Sequence, residues 1–318
     1  MTNKERFIKA LKREPISGYV PHFELVFFLS MESIGKVHPT HRGFGQWNQM
    51  STKEKLAQIK DAASVYVDIA KKYDHSAIFI QGPIHDDIDT YVELINQVNE
   101  LGEGQYYVTI HGDYTFPIPN GENMVEEAIK FYEEPEKMHE IARENIKNGT
   151  NFIDMLLKKG AQLDGITMCS DYCFNDNPFL SPDMFSEFIT PYLTEQIKAY
   201  KDMGLYTIKH TDGNIMPIID DLVGAGPDAL HSLDPQGGVD LKFVKEKYGD
   251  KICLIGNVNC GLLQTGTEEE IIEDCKRALR DGMPGYGYIF SSSNCAYTGL
   301  ALERYELMHS IWREYGKY

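Results

Sequence analysis

Short apolar segments alternate with longer stretches of helical periodicity along this 318-residue chain. Eight such segments can be identified, and most end on a polar residue that is capable of chemistry. They are VPHFELV from Val20, HSAIFIQ from His75, YYVTIHG from Tyr106, GITMCSD from Gly165, LYTIKHTD from Leu205, ALHSLD from Ala229, ICLIGNV from Ile252 and YIFSSSNC from Tyr288. Regular alternation of strand and helix is typical of a parallel α/β fold. The sequence therefore predicts a (β/α)8 TIM barrel, a single domain over residues 1–318, with its chemistry at the C-terminal strand ends.

Helix signals occupy the gaps between these segments. Ser51 is a predicted N-cap, and Ser181 followed by Pro182 is another. Pro135 should separate two helical stretches, because proline cannot continue a helix from the preceding turn. Residues 29–50 follow the first predicted strand without a clear period. We expect them to form a long loop over the mouth of the barrel, where long loops are usually functional.

Composition narrows the class of protein. The formal net charge of −17 disfavours nucleic acid and strongly anionic ligands as partners. No apolar run reaches the length of about 18 residues expected of a membrane span, and the charged N-terminus lacks the apolar region of a signal peptide. The six cysteines show no disulfide framework, so we expect a cytoplasmic protein whose thiols are core residues or metal ligands.

The densest cluster of reactive residues ends the fifth segment. His210 and Asp212 are two positions apart in a strand, so their side chains point to the same side. Cys295 ends the eighth segment, and the fifth and eighth strand mouths of a barrel face one cavity. Imidazole, carboxylate and thiolate form a mixed donor set that zinc accepts, with one coordination position left open. We therefore predict a zinc site at His210, Asp212 and Cys295, although a buried histidine and a buried thiol are common in cores without a metal.

Other polar residues end the remaining segments. Asp171 ends the fourth segment, Asp234 ends the sixth, and Asn257 lies at the end of the seventh. Glu24 lies within the first segment. Their position at predicted strand ends makes them candidates for catalysis or for orienting a metal ligand.

Several segments, taken in order, carry a resemblance to a known family. They are NKERFIKALKRE, SPDMFSEFITPYL, IKHTDGN, ALHSLDP, ICLIGNVNCGLLQTGTEEEI and GYIFSSSNC. With these segments the chain resembles the uroporphyrinogen decarboxylase superfamily over nearly its full length. The resemblance implies a (β/α)8 barrel, and it implies one of two activities: metal-free decarboxylation of a tetrapyrrole, or zinc-dependent methyl transfer with a corrinoid protein.

The chain is more similar to the methyltransferase branch. The decarboxylase branch carries an arginine-rich motif after the first strand and an acid after the second. Here PHFELVFFLSMESIG contains no arginine, and Gln81 stands at the place of the acid. A substrate with many carboxylates needs bidentate arginine contacts, so the sequence disfavours this substrate.

The resemblance also implies roles for individual residues. The methyltransferase branch uses H-x-C after the fifth strand and a cysteine after the eighth; His210 and Cys295 match, and Asp212 departs from the pattern. This departure leaves open whether Asp212 is a ligand or whether Glu24 or Asp234 completes the site. Asp171, Asn257 and Asp234 would orient the substrate or a ligand, and a corrinoid-binding protein would be the partner. Two alternatives remain: a metal-free decarboxylase, and a non-catalytic protein that binds a corrinoid or tetrapyrrole.

Overall fold

A computed structural model describes residues 1–85 and 87–318 of the chain. Its strands are β1 Ala77–Ile80, β2 Tyr107–His111, β3 Gly165–Met168, β4 Tyr206–Thr211, β5 Ala229–Ser232, β6 Cys253–Ile255 and β7 Tyr288–Ile289. Its α-helices are α1 Asn3–Leu11, α2 Ser30–Ile34, α3 Thr52–Tyr73, α4 Ile88–Leu101, α5 Met124–Glu133, α6 Pro135–Lys158, α7 Pro182–Phe188, α8 Thr190–Asp202, α9 Ile219–Gly224, α10 Leu241–Tyr248, α11 Cys260–Thr265, α12 Glu268–Gly282 and α13 Leu302–Tyr315. Seven of the predicted segments are thus confirmed as strands.

The seven strands form one parallel sheet in chain order, β1 to β7. Helices connect successive strands, so all the C-terminal strand ends lie at the same edge. In this register His210 of β4 lies opposite His231 of β5. The residues that follow the strands therefore meet at one end of the sheet, which we call the mouth.

The first predicted segment forms no regular strand. His22 makes single parallel bridges to His75 beside β1 and to Phe290 beside β7, so this segment contacts both edges of the sheet. Pro21 has no N–H to donate to a ladder, which limits pairing at this point. The described part of the chain therefore contains a seven-stranded parallel sheet, and the expected eighth strand is present only as isolated bridges.

Two layers of apolar side chains surround the sheet. The inner layer includes Phe23, Tyr107 and Ile208, and α1 adds Phe7 to it. The outer layer lies between the strands and the helices and contains most of the remaining core. Alternate residues of each strand point to opposite layers, as the period of two requires. No helix in residues 1–85 and 87–318 combines the length and the hydropathy needed to cross a membrane.

The predicted helix boundaries are largely confirmed. Ser51 caps α3 in a reciprocal capping box with Glu54, and Ser181 caps α7. Pro135 is the first residue of α6, directly after α5. Residues 29–50 contain α2 and two short 3-10 turns and otherwise form a loop, as expected.

Candidate metal centre

Three acidic or imidazole side chains converge at the mouth. The ligand atoms of Asp171, His210 and Asp212 all lie within 4.8 Å of one another. Nε2 of His210 lies 3.8 Å from Oδ1 of Asp171 and 3.8 Å from Oδ1 of Asp212. These separations are too long for hydrogen bonds. The ring nitrogen therefore faces two carboxylates without bonding to either of them.

The other ring nitrogen of His210 contacts a second histidine. Nδ1 of His210 lies 2.7 Å from Nδ1 of His231, and Nε2 of His231 lies 3.4 Å from Oγ of Ser291. His231 and Ser291 are fully buried. Burial, with the neighbouring His210 adding to it, lowers the pKa of His231 well below its ordinary value. Nδ1 of His210, the ring nitrogen that does not face the carboxylates, therefore contacts a neutral imidazole.

The two carboxylates are held by backbone and amide groups. Oδ1 of Asp171 accepts a hydrogen bond from the backbone N–H of Asp212 at 3.2 Å. Oδ2 of Asp212 accepts one from Nδ2 of Asn294. Oδ1 of Asp212, in contrast, is buried and has no hydrogen-bond partner in the described residues. An unpartnered buried carboxylate oxygen beside an imidazole nitrogen is suited to bind a cation.

A buried ion pair holds the loop that carries Asp171. Nζ of Lys209 donates to Oδ2 of Asp113 at 2.6 Å and to the carbonyl of Ser170 at 2.8 Å. Oδ2 of Asp113 also accepts from the backbone N–H of Ser170 at 3.0 Å. The Lys209 ammonium lies 4.1 Å from the ring centre of Tyr172, which follows Asp171. Residues on both sides of Asp171 are therefore anchored to β4.

Two glycines let the loop that carries Asp212 pack closely against its neighbours. Gly213 has φ of +79°, and a Cβ there would lie 2.4 Å from the carbonyl oxygen of Phe174. A Cβ on Gly237 would lie 2.2 Å from the carbonyl carbon of Gly213. Only glycine fits both positions, because backbone approaches backbone without room for a side chain.

The carboxylates at the mouth carry like charges and repel one another. Burial raises the pKa of Asp212, and the charges of Asp171 and Asp234 add to this effect while His210 works against it. Burial also raises the pKa of Asp234. A bound cation would offset both the desolvation and the like-charge repulsion.

Cys295 lies outside this group, in an adjoining cavity of about 320 Å³. In the described residues it does not form part of a set of ligand atoms within 4.8 Å of one another. Burial raises the pKa of its thiol to about 12. The cavity is lined by Asp234, Gln236, Cys260, Gly261, Gln264, Ser293, Asn294, Cys295 and Tyr297. The third residue beside His210 and Asp212 in the structure is thus Asp171, whereas the sequence favours Cys295. The role of Cys295 as a ligand stays a prediction.

The remaining sequence-predicted residues have different surroundings. Asp234 lines the cavity and caps a 3-10 turn, accepting from the backbone N–H of Gln236 at 3.0 Å. Asn257 is fully buried; its Nδ2 donates to the carbonyl of Leu233, and its Oδ1 accepts from Arg277. These two hydrogen bonds give Asn257 a structural role and leave its amide little capacity to orient a substrate.

Glu24 does not reach the group formed by Asp171, His210 and Asp212. Its Oε1 accepts from the backbone N–H of Ser292 at 3.1 Å, and its Oε2 accepts from the Ser292 hydroxyl at 2.6 Å. Burial raises the pKa of Glu24 to about 8, although these hydrogen bonds act in the opposite direction. The carboxyl group is held at the side of the seventh strand.

Two residues that contact the group were not predicted from the sequence. His231 lies in a predicted strand, and pairing that strand in register with its neighbour would have placed it beside His210. Asn294 precedes Cys295 and contacts Asp212, but no local pattern distinguishes it from its serine neighbours. The register of parallel strands is therefore the signal that sequence reasoning left unused for His231.

Comparisons with known proteins agree with this architecture. A solved methyltransferase from Methanosarcina mazei has a similar fold, with a TM-score of 0.72 over 99% of both chains at 17% identity. A GH5_18 protein from Bifidobacterium longum subsp. infantis gives a TM-score of 0.50 at 10% identity, over 95% of this chain and 80% of the other. At these identities the similarities show the fold and do not establish the reaction.

Sequence comparisons identify the family. A curated uroporphyrinogen decarboxylase from Chlorobium luteolum (strain DSM 273 / BCRC 81028 / 2530) is 31% identical over 105 residues, which are 32% of this chain and only 28% of that protein. The family model described as Uroporphyrinogen decarboxylase (URO-D) matches residues 119–315, more than half of the chain. This segment contains Asp171, His210 and Asp212 together with β3 to β7. The chain therefore belongs to the uroporphyrinogen decarboxylase (URO-D) family.

Proposed function

We propose that this protein is a zinc-dependent methyltransferase that moves a methyl group between a small donor or acceptor and the cobalt of a corrinoid protein. The observation that carries the proposal is the convergence of Asp171, His210 and Asp212 at the mouth. The printed name of the similarly folded Methanosarcina mazei protein, a methyltransferase, supports the reaction class.

The residues at the mouth fit zinc. They offer one imidazole nitrogen and two carboxylates, which are donor types that zinc binds. Two ligands at about 2.1 Å from a tetrahedral zinc lie roughly 3.4 Å apart, close to the 3.8 Å that separates His210 from each carboxylate. The unpartnered Oδ1 of Asp212 is the buried oxygen that such an ion would satisfy. Zinc bound there would supply a Lewis acid that polarises the atom carrying the methyl group.

The protein's own residues would bind and orient the substrate. The cavity beside the group presents amide and hydroxyl groups from Gln236, Gln264 and Tyr297, which can hydrogen-bond a small polar molecule. Among its described lining residues Asp234 is charged and none is basic. We therefore expect a small, uncharged or cationic methyl donor rather than an anion.

The same lining disfavours decarboxylation of a porphyrinogen. A substrate with several carboxylates requires bidentate arginine contacts, and this cavity offers a carboxylate in their place. A volume of about 320 Å³ is also at the low end of the range for drug-sized ligands. The decarboxylase alternative therefore gains no support from the site.

We take the sheet to be a closed (β/α)8 barrel in which residues 20–24 fill the eighth strand position. The bridges from His22 to both edge strands support this closure. The corrinoid partner would approach the mouth, next to the loop at residues 29–50. Phe28 and His41 stack there with ring centres 4.8 Å apart, and such a surface suits contact with a macrocycle or its protein.

Zinc content and methyl transfer provide the test. Purified protein should bind about one zinc per chain, and His210→Ala should lose both the zinc and the methylation of cob(I)alamin by a panel of methylated alcohols, thiols and amines. His75→Leu, which alters a buried histidine away from the mouth, should retain both. Turnover that persists in a strong chelator after zinc has been removed would contradict the proposal.

The two neighbouring thiols of the cavity provide a matched pair for the role of Cys295. If Cys295 is a ligand, Cys295→Ser should abolish methyl transfer without unfolding the protein, while Cys260→Ser should leave zinc content unchanged. Normal zinc content and turnover in Cys295→Ser would exclude the thiol and leave Asp171, His210 and Asp212 as the set of protein ligands.

A further inference from the structure

The pair formed by His210 and His231 is an unusual support for a metal ligand. A histidine that binds a metal commonly donates its second N–H to a carboxylate, a backbone carbonyl or water. Here the second nitrogen of His210 meets another imidazole nitrogen, and the two Nδ1 atoms are 2.7 Å apart. His231 has no exposed surface, so no water replaces this contact.

A contact between two imidazole nitrogens at this distance requires a single shared hydrogen. Two protonated nitrogens would repel each other, and two bare lone pairs would also repel. A fully buried imidazole without a carboxylate partner remains neutral, so His231 carries one ring hydrogen. Either His210 donates to His231 through Nδ1, or His231 donates to His210.

A cation in the group would favour donation by His210. If His231 donated, Nε2 of His210 would carry the hydrogen of that ring and its N–H would face the carboxylates 3.8 Å away, which leaves no lone pair for a metal. Nε2 of His231 would then accept from the Ser291 hydroxyl. If His210 donates, its Nε2 presents a lone pair toward Asp171 and Asp212, and Nε2–H of His231 points at the Ser291 hydroxyl oxygen at 3.4 Å.

We propose that His231 is a positioning residue that fixes His210 in the tautomer with its hydrogen on Nδ1 and its lone pair on Nε2, directed into the metal group. This inference rests on the proposed function in one respect, that the group binds zinc. His231 would act through His210 and would not touch the metal or the substrate.

Two substitutions separate the acceptor role of His231 from its packing role. His231→Asn keeps an oxygen near the place of Nδ1, where it can accept the hydrogen from His210. His231→Leu keeps an apolar side chain of similar reach and removes the acceptor. Zinc affinity, measured with Zn²⁺ and a competing chelator, should fall about 10- to 100-fold in His231→Leu, the usual effect of losing such a partner.

His231→Asn should recover most of the affinity lost in His231→Leu. His75→Leu serves as the matched control, because His75 is also buried and makes no contact with the mouth; it should leave zinc affinity unchanged. Zinc affinity in folded His231→Leu equal to that of the unaltered protein would overturn the inference. So would an equal loss in the asparagine and leucine variants.

The tautomer can also be observed directly in the unaltered protein. Long-range ¹H–¹⁵N spectra of histidine-labelled, zinc-loaded protein distinguish a hydrogen on Nδ1 from one on Nε2, and a His210→Ala sample, which lacks this ring, assigns its signal. We expect His210 with Nδ1–H and His231 with Nε2–H. Nε2–H on His210 would refute the inference even if the leucine variant failed to fold.

These outcomes separate the two proposals. Unaltered protein that binds no zinc would contradict the proposed function and the inference that rests on it. Normal zinc binding with the opposite tautomer would leave the proposed function intact and remove the role of His231.

Discussion

Two clusters of histidines lie at opposite ends of the sheet. At the mouth, His210 faces the carboxylates of Asp171 and Asp212, and His231 contacts His210. Near the N-terminal strand ends, three histidines pack with two tyrosines and a tryptophan, partly from α13: His22, His75, His309, Tyr73, Tyr305 and Trp312. The residue type is the same, but the hydrogen-bonding partners differ.

In the second cluster, histidine nitrogens form hydrogen bonds with other residues of the same cluster. Nδ1 of His22 and Nε2 of His309 both contact the carbonyl oxygen of Tyr73. The hydroxyl of Tyr305 lies 3.0 Å from Nε2 of His75 and 3.4 Å from Nε2 of His22. At the mouth, Nε2 of His210 has no such partner among the described residues and faces two carboxylates. A histidine therefore indicates a functional site when a ring nitrogen is left free beside complementary charge, not when histidines are merely numerous.

The largest effect on stability should come from removing the buried charge of Lys209, which is paired with Asp113 near the mouth. Lys209→Met would leave Asp113 buried without its ammonium partner, and the free energy of unfolding should fall by about 3–5 kcal/mol. Chemical denaturation measures this change. The double variant Lys209→Met with Asp113→Leu should recover part of the loss, whereas additive losses would show that the two groups are not coupled.

Acid should act on the second cluster through its neutral histidines. Burial and the neighbouring His309 lower the pKa of His75 to about 3, and burial, His75 and His309 lower the pKa of His22 well below its ordinary value. The unfolded chain therefore binds more protons than the folded chain below the ordinary histidine pKa of 6.5.

His75 should cost stability as the pH falls from 6.5 toward 3, at about 1.4 kcal/mol per pH unit, and His22 should lower stability in the same direction. Denaturation midpoints across this range measure the slope. His75→Leu should reduce the slope by the contribution of one proton. An unchanged slope would mean that His75 does not titrate on unfolding.

The smallest effect should be a gain in stability at the mouth. Because burial raises the pKa of Asp212, the ionised carboxylate is less stable in the folded chain than in the unfolded chain at neutral pH. Asp212→Asn should therefore slightly raise the thermal midpoint of zinc-free protein at pH 7 and weaken its response to Zn²⁺. A lower midpoint in zinc-free Asp212→Asn would show that the carboxylate stabilises the fold by itself.

Much of the fold was predictable from the sequence. Seven apolar segments became strands because each is short and apolar and is followed by turn or helix signals. The segment at Val20 looked equivalent, but Pro21 and its position between two edges reduced it to single bridges. Helix starts at Ser51 and Ser181 were predictable because capping is a local interaction.

The site was predictable only in part. His210 lies near the end of β4, Asp212 follows β4, and Asp171 follows the neighbouring β3, so strand order alone brings them to one place. The position of Cys295 depends on the path of the loop after β7, which local patterns do not encode. Asn257 stands at a strand end like the others, yet Arg277 from α12 binds its amide, a contact that appears only in three dimensions.

Anomalous diffraction at the zinc edge, from crystals of the protein grown with Zn²⁺, tests the central claim most directly. We predict one strong peak bounded by Nε2 of His210 and the carboxylates of Asp171 and Asp212. A strong peak at another place, or no peak at the mouth with zinc in excess, would contradict the assignment of this group as the metal centre.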